Sequence, residues 1–568
     1  MRNYVADFET TSYEQYTKDG YTRVFMYAIA NIDTLEVVER GTSIEQFLAW
    51  CYTYQGDKSI SVYFHNLAFD GSFIVNHLLS IGYKHVKKFG EEPDNEFETL
   101  INDMGMWYTI KIRYKKGKGL VNVTFKDSVK KIPLSVRNIA KVYKMRIGKG
   151  DFEYNMYRPL GYVPTADEWD YVDRDVLIVA RALKQNFDSG MKKMTISSDA
   201  YKNFIDRYDK KQQNLYFPYL ELDVWEDIRK AYKGGWVYHN QAMSGKVIDN
   251  VLSYDVNSLY PYSMYEQLLP YSHPRKFIGK YQYNRLFPLY IQFIEVSFKL
   301  KEGYLPTIQT ASLGRYTKDL FLTDTENDTV ELALTNIDLD LFLKHHEVYY
   351  IKYKYGYMFR ARRDLFKGYI DDWYHVKETT TGGERQLAKL MLNSLYGKFG
   401  TNPKNKDKKP YLNENKALRF NTGEETISRW LKYIPVAVFT TANARKVIIE
   451  SSQMFYDNHL YSDTDSMKLY NITPEEVAKK IDVDSKRLGA FDLEDEYKQF
   501  KMLKPKHYAY TLEGDDHLYI KASGIPDKVK DTITSFDIFS KGFETNDKLI
   551  MRQVKGGAVL VPSQHVIK

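Results

Sequence analysis

Cysteine is almost missing from this sequence: Cys51 is the single one in 568 residues. One thiol cannot build an internal disulfide framework, which excludes the stapled secreted scaffolds and suits a reducing compartment, where such a residue is usually a small apolar filler. Long apolar runs are absent as well. No uninterrupted stretch approaches the roughly 20 residues that a bilayer-spanning helix needs, and the amino terminus lacks the charged-then-apolar pattern of a signal peptide. The expectation is a soluble intracellular protein, neither secreted nor membrane-spanning. Internal repeats and long low-complexity tracts are also lacking.

What is present is length, aromatic rings and a modest excess of positive charge. A chain of 568 residues exceeds what one hydrophobic core supports, so two or more domains are expected. Lys plus Arg number 81 against 74 for Asp plus Glu, a formal +7. That excess suits a polyanionic partner, with ordinary surface charge as the even alternative. Tyrosine, at 49 residues, can stack on exposed bases as well as fill a core.

The first part alternates short β-like runs at 4–9, 24–30 and 59–64 with helical patterns, which points to an α/β domain with carboxylates near strand ends. Thr165 and Glu168 form an S/T-x-x-E capping box ahead of a helical stripe of Val172, Val176, Val179 and Leu183. The polar stretch 206–214 loosens the pattern. A second mixed region starts near Leu220, and its β-like pieces at 251–255 and 459–469 are far apart, which suggests insertions into one sheet domain. The lysine-rich run 402–409 reads as a projecting hairpin or a solvated loop.

Asp7 and Glu9 stand two apart on an extended segment, so both leave the same face while Ala6 and Phe8 take the other. Adjacent carboxylates repel, and a divalent cation between them removes the repulsion; exposed strand residues are the alternative. Asp70 opens the helical pattern Phe73, Ile74, His77, Leu78, Ile81 at its N-terminus and on its buried face. Asp175 lies one turn after Tyr171, so carboxylate and phenol point the same way. Four inward acids with a Tyr–Asp pair describe a two-metal site for phosphodiester hydrolysis.

Asp7-Phe8-Glu9-Thr10, Asn66-Leu67-Ala68-Phe69-Asp70 and Tyr171-Val172-Asp173-Arg174-Asp175 resemble, in order, the three exonuclease motifs of the family B DNA polymerases. The resemblance implies that Asp7, Glu9, Asp70 and Asp175 bind metals and that Tyr171 orients the attacking water. It also implies that Thr10, His65, Asn66, Phe69 and Ser128 hold a frayed 3′ end, and that Lys149, shortly before the third motif, assists the chemistry.

A second set of acids lies further on. Tyr461-Ser462-Asp463-Thr464-Asp465-Ser466 reads as two strands joined by a tight acidic turn, and Asp255 ends an apolar strand. Phosphoryl transfer uses two divalent ions about 3.5–4 Å apart, a clamp that two strand-end carboxylates can supply. Between them, Arg385, Lys389, Asn393 and Tyr396 repeat along one helical stripe while Leu387, Leu390, Met391 and Leu395 face the core. That stripe offers cations for a triphosphate and a ring and amide for sugar and base; a solvated amphipathic face is the alternative.

Asp255-x-x-Ser258-Leu259-Tyr260-Pro261, Lys389-x-x-x-Asn393-Ser394-x-Tyr396-Gly397 and Tyr461-x-Asp463-Thr464-Asp465-Ser466 resemble the three polymerase motifs of the same family. The resemblance makes Asp255, Asp465 and the backbone of Val256 metal ligands and Asp463 a supporting acid. It implies Mg²⁺, replaceable by Mn²⁺, with two ions per active site. Tyr260 would lie under the incoming sugar and exclude a 2′ hydroxyl, and Lys377, Arg385, Lys389, Asn393 and Tyr396 would bind the nucleotide. Lys506-His507-Tyr508 is similar to the Lys-x-Tyr primer-holding motif. Ser258, Gly397, Phe399, Thr441 and Arg445 are implied to hold DNA.

Tyr232-Lys233-Gly234-Gly235, a Tyr-x-Gly-Gly element expected to touch DNA through Tyr232, Gly234 and Gly235, resembles the protein-primed branch, and within it the phi29-type phage replicases. The implied fold is a mixed α/β and α+β multidomain chain: an RNase H-like 3′→5′ exonuclease at 1–195, then a right-hand polymerase. Its palm would occupy 196–266 and 432–523, its fingers 365–400 and its thumb 524–568. Insertions at 267–364 and 401–431 would contact the terminal protein and drive strand displacement and processivity. The implied partners are template and primer DNA, dNTPs, a terminal protein and a single-stranded DNA-binding protein, for a monomer working in the cytoplasm of an infected bacterium. Arg385 replaces a lysine of the phi29 type, keeping charge but altering hydrogen-bond geometry, and Ala68 replaces another lysine. A reverse transcriptase or RNA polymerase is disfavoured by the Asp-Thr-Asp turn and by Tyr260. An inactive polymerase relic is disfavoured because none of the expected carboxylates is missing.

Overall fold

Arg2–Thr10 is an inner strand of an eight-stranded sheet in the computed structural model, which describes residues 2–54, 58–91, 94–116, 119–146, 148, 150–314, 319–326, 328–427 and 431–566. The strand order is Val37–Gly41, Val24–Asn31, Arg2–Thr10, Ile60–Phe64, Gly119–Asp127, Trp107–Lys116, Glu96–Ile101 and Lys84–His85. Arg2–Thr10 runs antiparallel to Val24–Asn31 and parallel to Ile60–Phe64. Both faces are covered, which is why Val24–Asn31 is apolar from Val24 to Ala30 rather than alternating. Tyr4, Phe8, Phe47, Phe64 and Phe73 fill one core, and Val5, Met26, Ala28, Val172, Val176 and Leu183 fill the other.

The expected strands and the helix after Thr165 are present. Ala166–Asp188 starts with both halves of the Thr165–Glu168 capping box formed. The helix carrying Asp70 begins three residues earlier than its apolar pattern does, at Leu67. A correction concerns 206–214, where Lys210–Tyr216 is a helix that buries no residue. An Asp209–Gln212 capping box satisfies its first backbone donors, a local signal that apolar periodicity does not register. Cys51 is a buried free thiol, as expected of a filler.

A seven-stranded antiparallel sheet forms the second layer: Asp515–Ala522, His507–Leu512, Phe491–Lys504, Val247–Val256, Ser466–Tyr470, His459–Asp463 and Val237–His239. Its central strand, Val247–Val256, comes from a stretch of chain far from its neighbour Ser466–Tyr470, so the helical sequence between them is inserted, as the spacing suggested. Part of that insertion is a four-stranded sheet ordered Leu269–Ile278, His346–Arg362, Leu289–Leu300 and Val330–Thr335. Asp227 anchors it by accepting hydrogen bonds from Tyr355 and Tyr357 at 3.2 and 3.0 Å. The lysine-rich run is the hairpin of the two alternatives, pairing Lys404–Leu412 with Leu418–Ile427.

This hairpin, a carboxy-terminal hairpin (Glu544–Val554 with Gly557–Val566) and the Leu67–Ser80 helix meet at one place. Asn76 donates to the Lys416 carbonyl at 3.0 Å, Ala417 bridges Lys555, and Gln553 donates to Ser72 at 2.8 Å. Among the described residues no helix is long and apolar enough to cross a membrane.

Candidate active sites

The amino-terminal acids line one cavity of about 850 Å³. Asp7, Glu9, Thr10, His65, Asn66, Phe69, Asp70, Tyr171 and Asp175 all face it. Strand alternation presents Asp7 and Glu9 on one face near the carboxy-terminal end of Arg2–Thr10, while Phe8 turns into the core against Phe47 and Phe64. Asn66 takes the left-handed region at φ 77° and supplies no cap to the Leu67–Ser80 helix. Asp127, from a neighbouring strand, caps it instead, its Oδ1 accepting from the Asn66 and Leu67 amides at 3.1 and 3.5 Å. The Phe8 amide donates to Asp70 Oδ1 at 3.3 Å, which fixes the helix acid against the strand acids.

Electrostatics ties these groups together. Burial first, and the Asp7 carboxylate second, push the Asp70 carboxyl well above the usual range, while the Phe8 amide pulls the other way. Burial, Asp175, Glu9 and Asp7 together push the Tyr171 phenol up, so it stays a neutral donor. Its hydroxyl lies 2.7 Å from that of Tyr154, and its ring packs on Phe152. Lys149 lies outside the described residues.

At the second centre, Asp255 pairs with Ser466 across the sheet, and the Val256 amide donates to the Asp465 carbonyl at 2.8 Å. The tight turn is held by Thr464 at φ 66° and by its amide, which donates to the Trp236 carbonyl at 2.9 Å. Burial and mutual repulsion raise Asp255 and Asp465: Asp465 and Glu494 act on Asp255, and Asp463 and Glu494 act on Asp465. Asp463 is satisfied differently. It accepts from Tyr461 and Thr464, both at 3.1 Å, and pairs with Lys506 at 2.9 Å. Asp463 therefore already has a cation, whereas Asp255 and Asp465 form no ion pair among the described residues.

The residues expected to bind the nucleotide come from two helices. On Gly382–Phe399, Arg385, Lys389, Asn393 and Tyr396 share the outer stripe, while Leu387, Met391, Leu392 and Leu395 are buried; Leu390 is only partly so. Lys377, from the Lys367–Thr379 helix, donates to Ser258 Oγ at 3.2 Å. Burial lowers its ammonium, Glu378 at 3.6 Å raises it, and Arg385 and Lys389 lower it, so three cations crowd one spot beside a single acid. Such crowding is relieved by a polyanion. Tyr260 and Tyr396 stack with ring centroids 4.0 Å apart.

Several residues expected to hold DNA offer no free donor. Arg445 is 3 % exposed and spends its guanidinium on Asp338 and on the Lys233 and Gly234 carbonyls, all at 2.8–3.0 Å. Thr441 bonds within its own helix, Phe399 is core, and the Ser128 hydroxyl is shared between the Phe64 carbonyl and His65. His65 in turn binds the Leu134 carbonyl through Nε2 at 2.7 Å. These side chains shape the walls. Tyr232, Gly234, Gly397, Lys506 and Tyr508 are partly or fully exposed.

Among the described residues no three His, Cys, Asp or Glu side chains already clasp a common point. Like charges without a cation between them spread apart, and in phosphoryl transfer the phosphate oxygens and water complete each ion's shell. The oxygen-only donors suit a hard divalent cation.

A family model described as DNA polymerase type B, organellar and viral, matches residues 53–168 and 158–483. The chain belongs to the type B DNA polymerases. This polymerase is 41% identical to the DNA polymerase of Bacillus phage M2, over 99% of both chains. It is 40% identical to that of Bacillus phage phi29, over 100% of this chain and 99% of the other, and 34% identical to that of Streptococcus phage Cp-1, over 100% and 98%. Its structure matches phi29 DNA polymerase complexed with single-stranded DNA with a TM-score of 0.92, at 39% identity and with both chains fully covered. The match to phi29 DNA polymerase complexed with primer-template DNA and incoming nucleotide substrates has a TM-score of 0.91. Membership of this family implies dependence on divalent metal.

Sequence reasoning missed residues of this polymerase that reach the sites from distant segments. Asp127 and Tyr154 support the first centre, and Leu549, Val559, Leu560 and Pro562 of the carboxy-terminal hairpin line its cavity. Glu494 and Lys468 lie near Asp255. No local pattern marks them; only the Asp-Ser that ends a strand at Asp127 carries a cap signal.

Proposed function

We propose that this chain is a processive, strand-displacing replicase that copies template DNA from dNTPs and proofreads with a separate 3′→5′ exonuclease. The observation that carries the reading is the pairing of two acid clusters on two different sheets, one beside crowded cations and the other in a cavity lined by aromatic rings. The likeness to phi29 DNA polymerase complexed with primer-template DNA and incoming nucleotides supports the choice of substrates.

In the synthesis site Asp255, Asp465 and the Val256 carbonyl would hold Mg²⁺, or Mn²⁺ in its place. Two ions supply Lewis acidity, one at the primer hydroxyl and one at the triphosphate. Lys377, Arg385 and Lys389 bind and orient the triphosphate, Asn393 and Tyr396 take sugar and base, and Tyr260 closes the space beneath the ribose. Lys506 and Tyr508 hold the primer. In the excision site Asp7, Glu9, Asp70 and Asp175 are the ion-holding acids, and the neutral phenol of Tyr171 orients water. Thr10, Asn66 and Phe69 grip the frayed end, and Lys149 assists.

The corresponding division is an exonuclease at 1–195, palm at 196–266 and 432–523, insertions at 267–364 and 401–431, fingers at 365–400 and thumb at 524–568. A terminal protein would prime synthesis on a linear phage genome inside an infected bacterium, with a single-stranded DNA-binding protein as a further partner and a monomeric polymerase. The test is direct. With Mg²⁺ and dNTPs the full-length protein is expected to extend a primed template and, without dNTPs, to trim a mismatched 3′ end; extension without trimming would remove the exonuclease assignment. Labelled dATP and the cognate terminal protein, with no nucleic-acid primer, are expected to yield label covalently bound to protein.

A further inference from the structure

Lys468 is 4 % exposed, and its ammonium makes no ion pair within 4.0 Å among the described residues; it donates to Ser253 Oγ at 3.1 Å. The two residues are register partners on adjacent strands, two pairs along from Asp255 and Ser466 and so on the same face of the sheet. The ammonium also lies 5.9 and 5.5 Å from the ring centroids of Tyr497 and Tyr508. Burial pulls its ammonium down from the usual lysine range, and the charges acting against that are all acids: Glu494, Asp255, Asp495 and Asp463. It acts in turn on both Asp255 and Asp465.

A buried cation without a direct partner is costly to keep. Strand alternation does not require it, because Met467 and Leu469 take the core side and a neutral side chain could reach Ser253. Its remaining consequence is its field. The position is fixed by two strands, two rings and one hydrogen bond, so the charge stands at a constant distance from the acids and cannot swing out to solvent. A surface lysine such as Lys506, paired with Asp463 and 56% exposed, lacks that property.

We propose that Lys468 is a positioning residue of the synthesis site, a built-in cation beneath Asp255 and Asp465 that limits how much negative charge divalent ions and the triphosphate meet there. The inference rests on the reading of that site as the polymerase centre. Without this ammonium the acids would draw divalent ions more strongly, would repel the nucleotide more strongly, and would release ions less readily after each addition.

The measurement is Mn²⁺ affinity by electron paramagnetic resonance, without DNA or nucleotide, on the full-length protein carrying Asp7→Ala and Glu9→Ala to silence the other acid cluster. In that background Lys468→Gln, which keeps a donor for Ser253, and Lys468→Met are both expected to bind Mn²⁺ about tenfold more tightly, as Coulomb attraction to a divalent ion at short range dictates. Lys468→Arg is expected to stay within about twofold of the parent, since the charge is kept. Unchanged or weaker binding in the Gln variant overturns the proposal. Asp465→Asn is the control: if it leaves Mn²⁺ binding intact, the assignment of the synthesis site fails; if it abolishes binding while Lys468→Gln changes nothing, only the role of Lys468 fails.

Discussion

Gly235 and Thr464 approach so closely that a Cβ on the glycine would lie 2.8 Å from both Thr464 Cγ2 and Oγ1. Thr464 Oγ1 also donates to Asp463, so displacing it disturbs the acidic turn. Gly235→Ala is therefore expected to lower primer extension about tenfold or more while leaving single-strand excision unchanged. Thr464→Gly in the same chain, which empties the space and suits the positive φ, should recover part of the loss. Equal loss of both activities would point to global misfolding instead.

Arg445 and Asp338 form a bidentate pair that ties the Lys233–Gly234 backbone to the helix behind the synthesis site. Breaking a buried pair from one side costs about 3–5 kcal/mol, so Arg445→Met should lower the urea midpoint markedly. Burial would raise the Asp338 carboxyl, but Arg445 and Lys233 more than offset it and the net shift is downward. A depressed folded pKa means the stabilisation is complete above the unfolded value of about 3.9 and is lost as pH falls through the folded value. The stability gap between the parent and Asp338→Asn should accordingly be flat from neutral pH to about pH 5 and shrink below about pH 4.

The two acid clusters belong to different sheets, so their chemistries should separate. Asp465→Ala is expected to reduce dNTP incorporation by about three powers of ten with 3′→5′ degradation retained. Asp7→Ala combined with Glu9→Ala should do the reverse, and an unchanged mismatch-excision rate in that double variant would falsify the exonuclease assignment.

Tyr260 stacks on Tyr396, and both phenols lie within the field of Asp465. If the Tyr260 ring fills the space beneath the sugar, Tyr260→Val should raise ribonucleotide incorporation relative to deoxynucleotide by about a hundredfold, on the scale of a lost steric exclusion. Competition between labelled rNTP and dNTP measures it.

Much of this polymerase was written locally. Alternation along a strand put Asp7 and Glu9 on one face, a capping box started the helix that carries Tyr171 and Asp175, and an acidic turn joined the strands around Asp463 and Asp465. Those features depend on neighbours a few residues apart, where the periods of strand and helix govern direction. The tertiary structure alone decided that Asp127 caps a helix it does not belong to, that Arg445 holds a loop instead of meeting solvent, and that Lys468 stands beneath Asp255. Each of these unites segments far apart in the chain, and whether a buried charge is satisfied, and by what, is set by packing in three dimensions that no local period encodes.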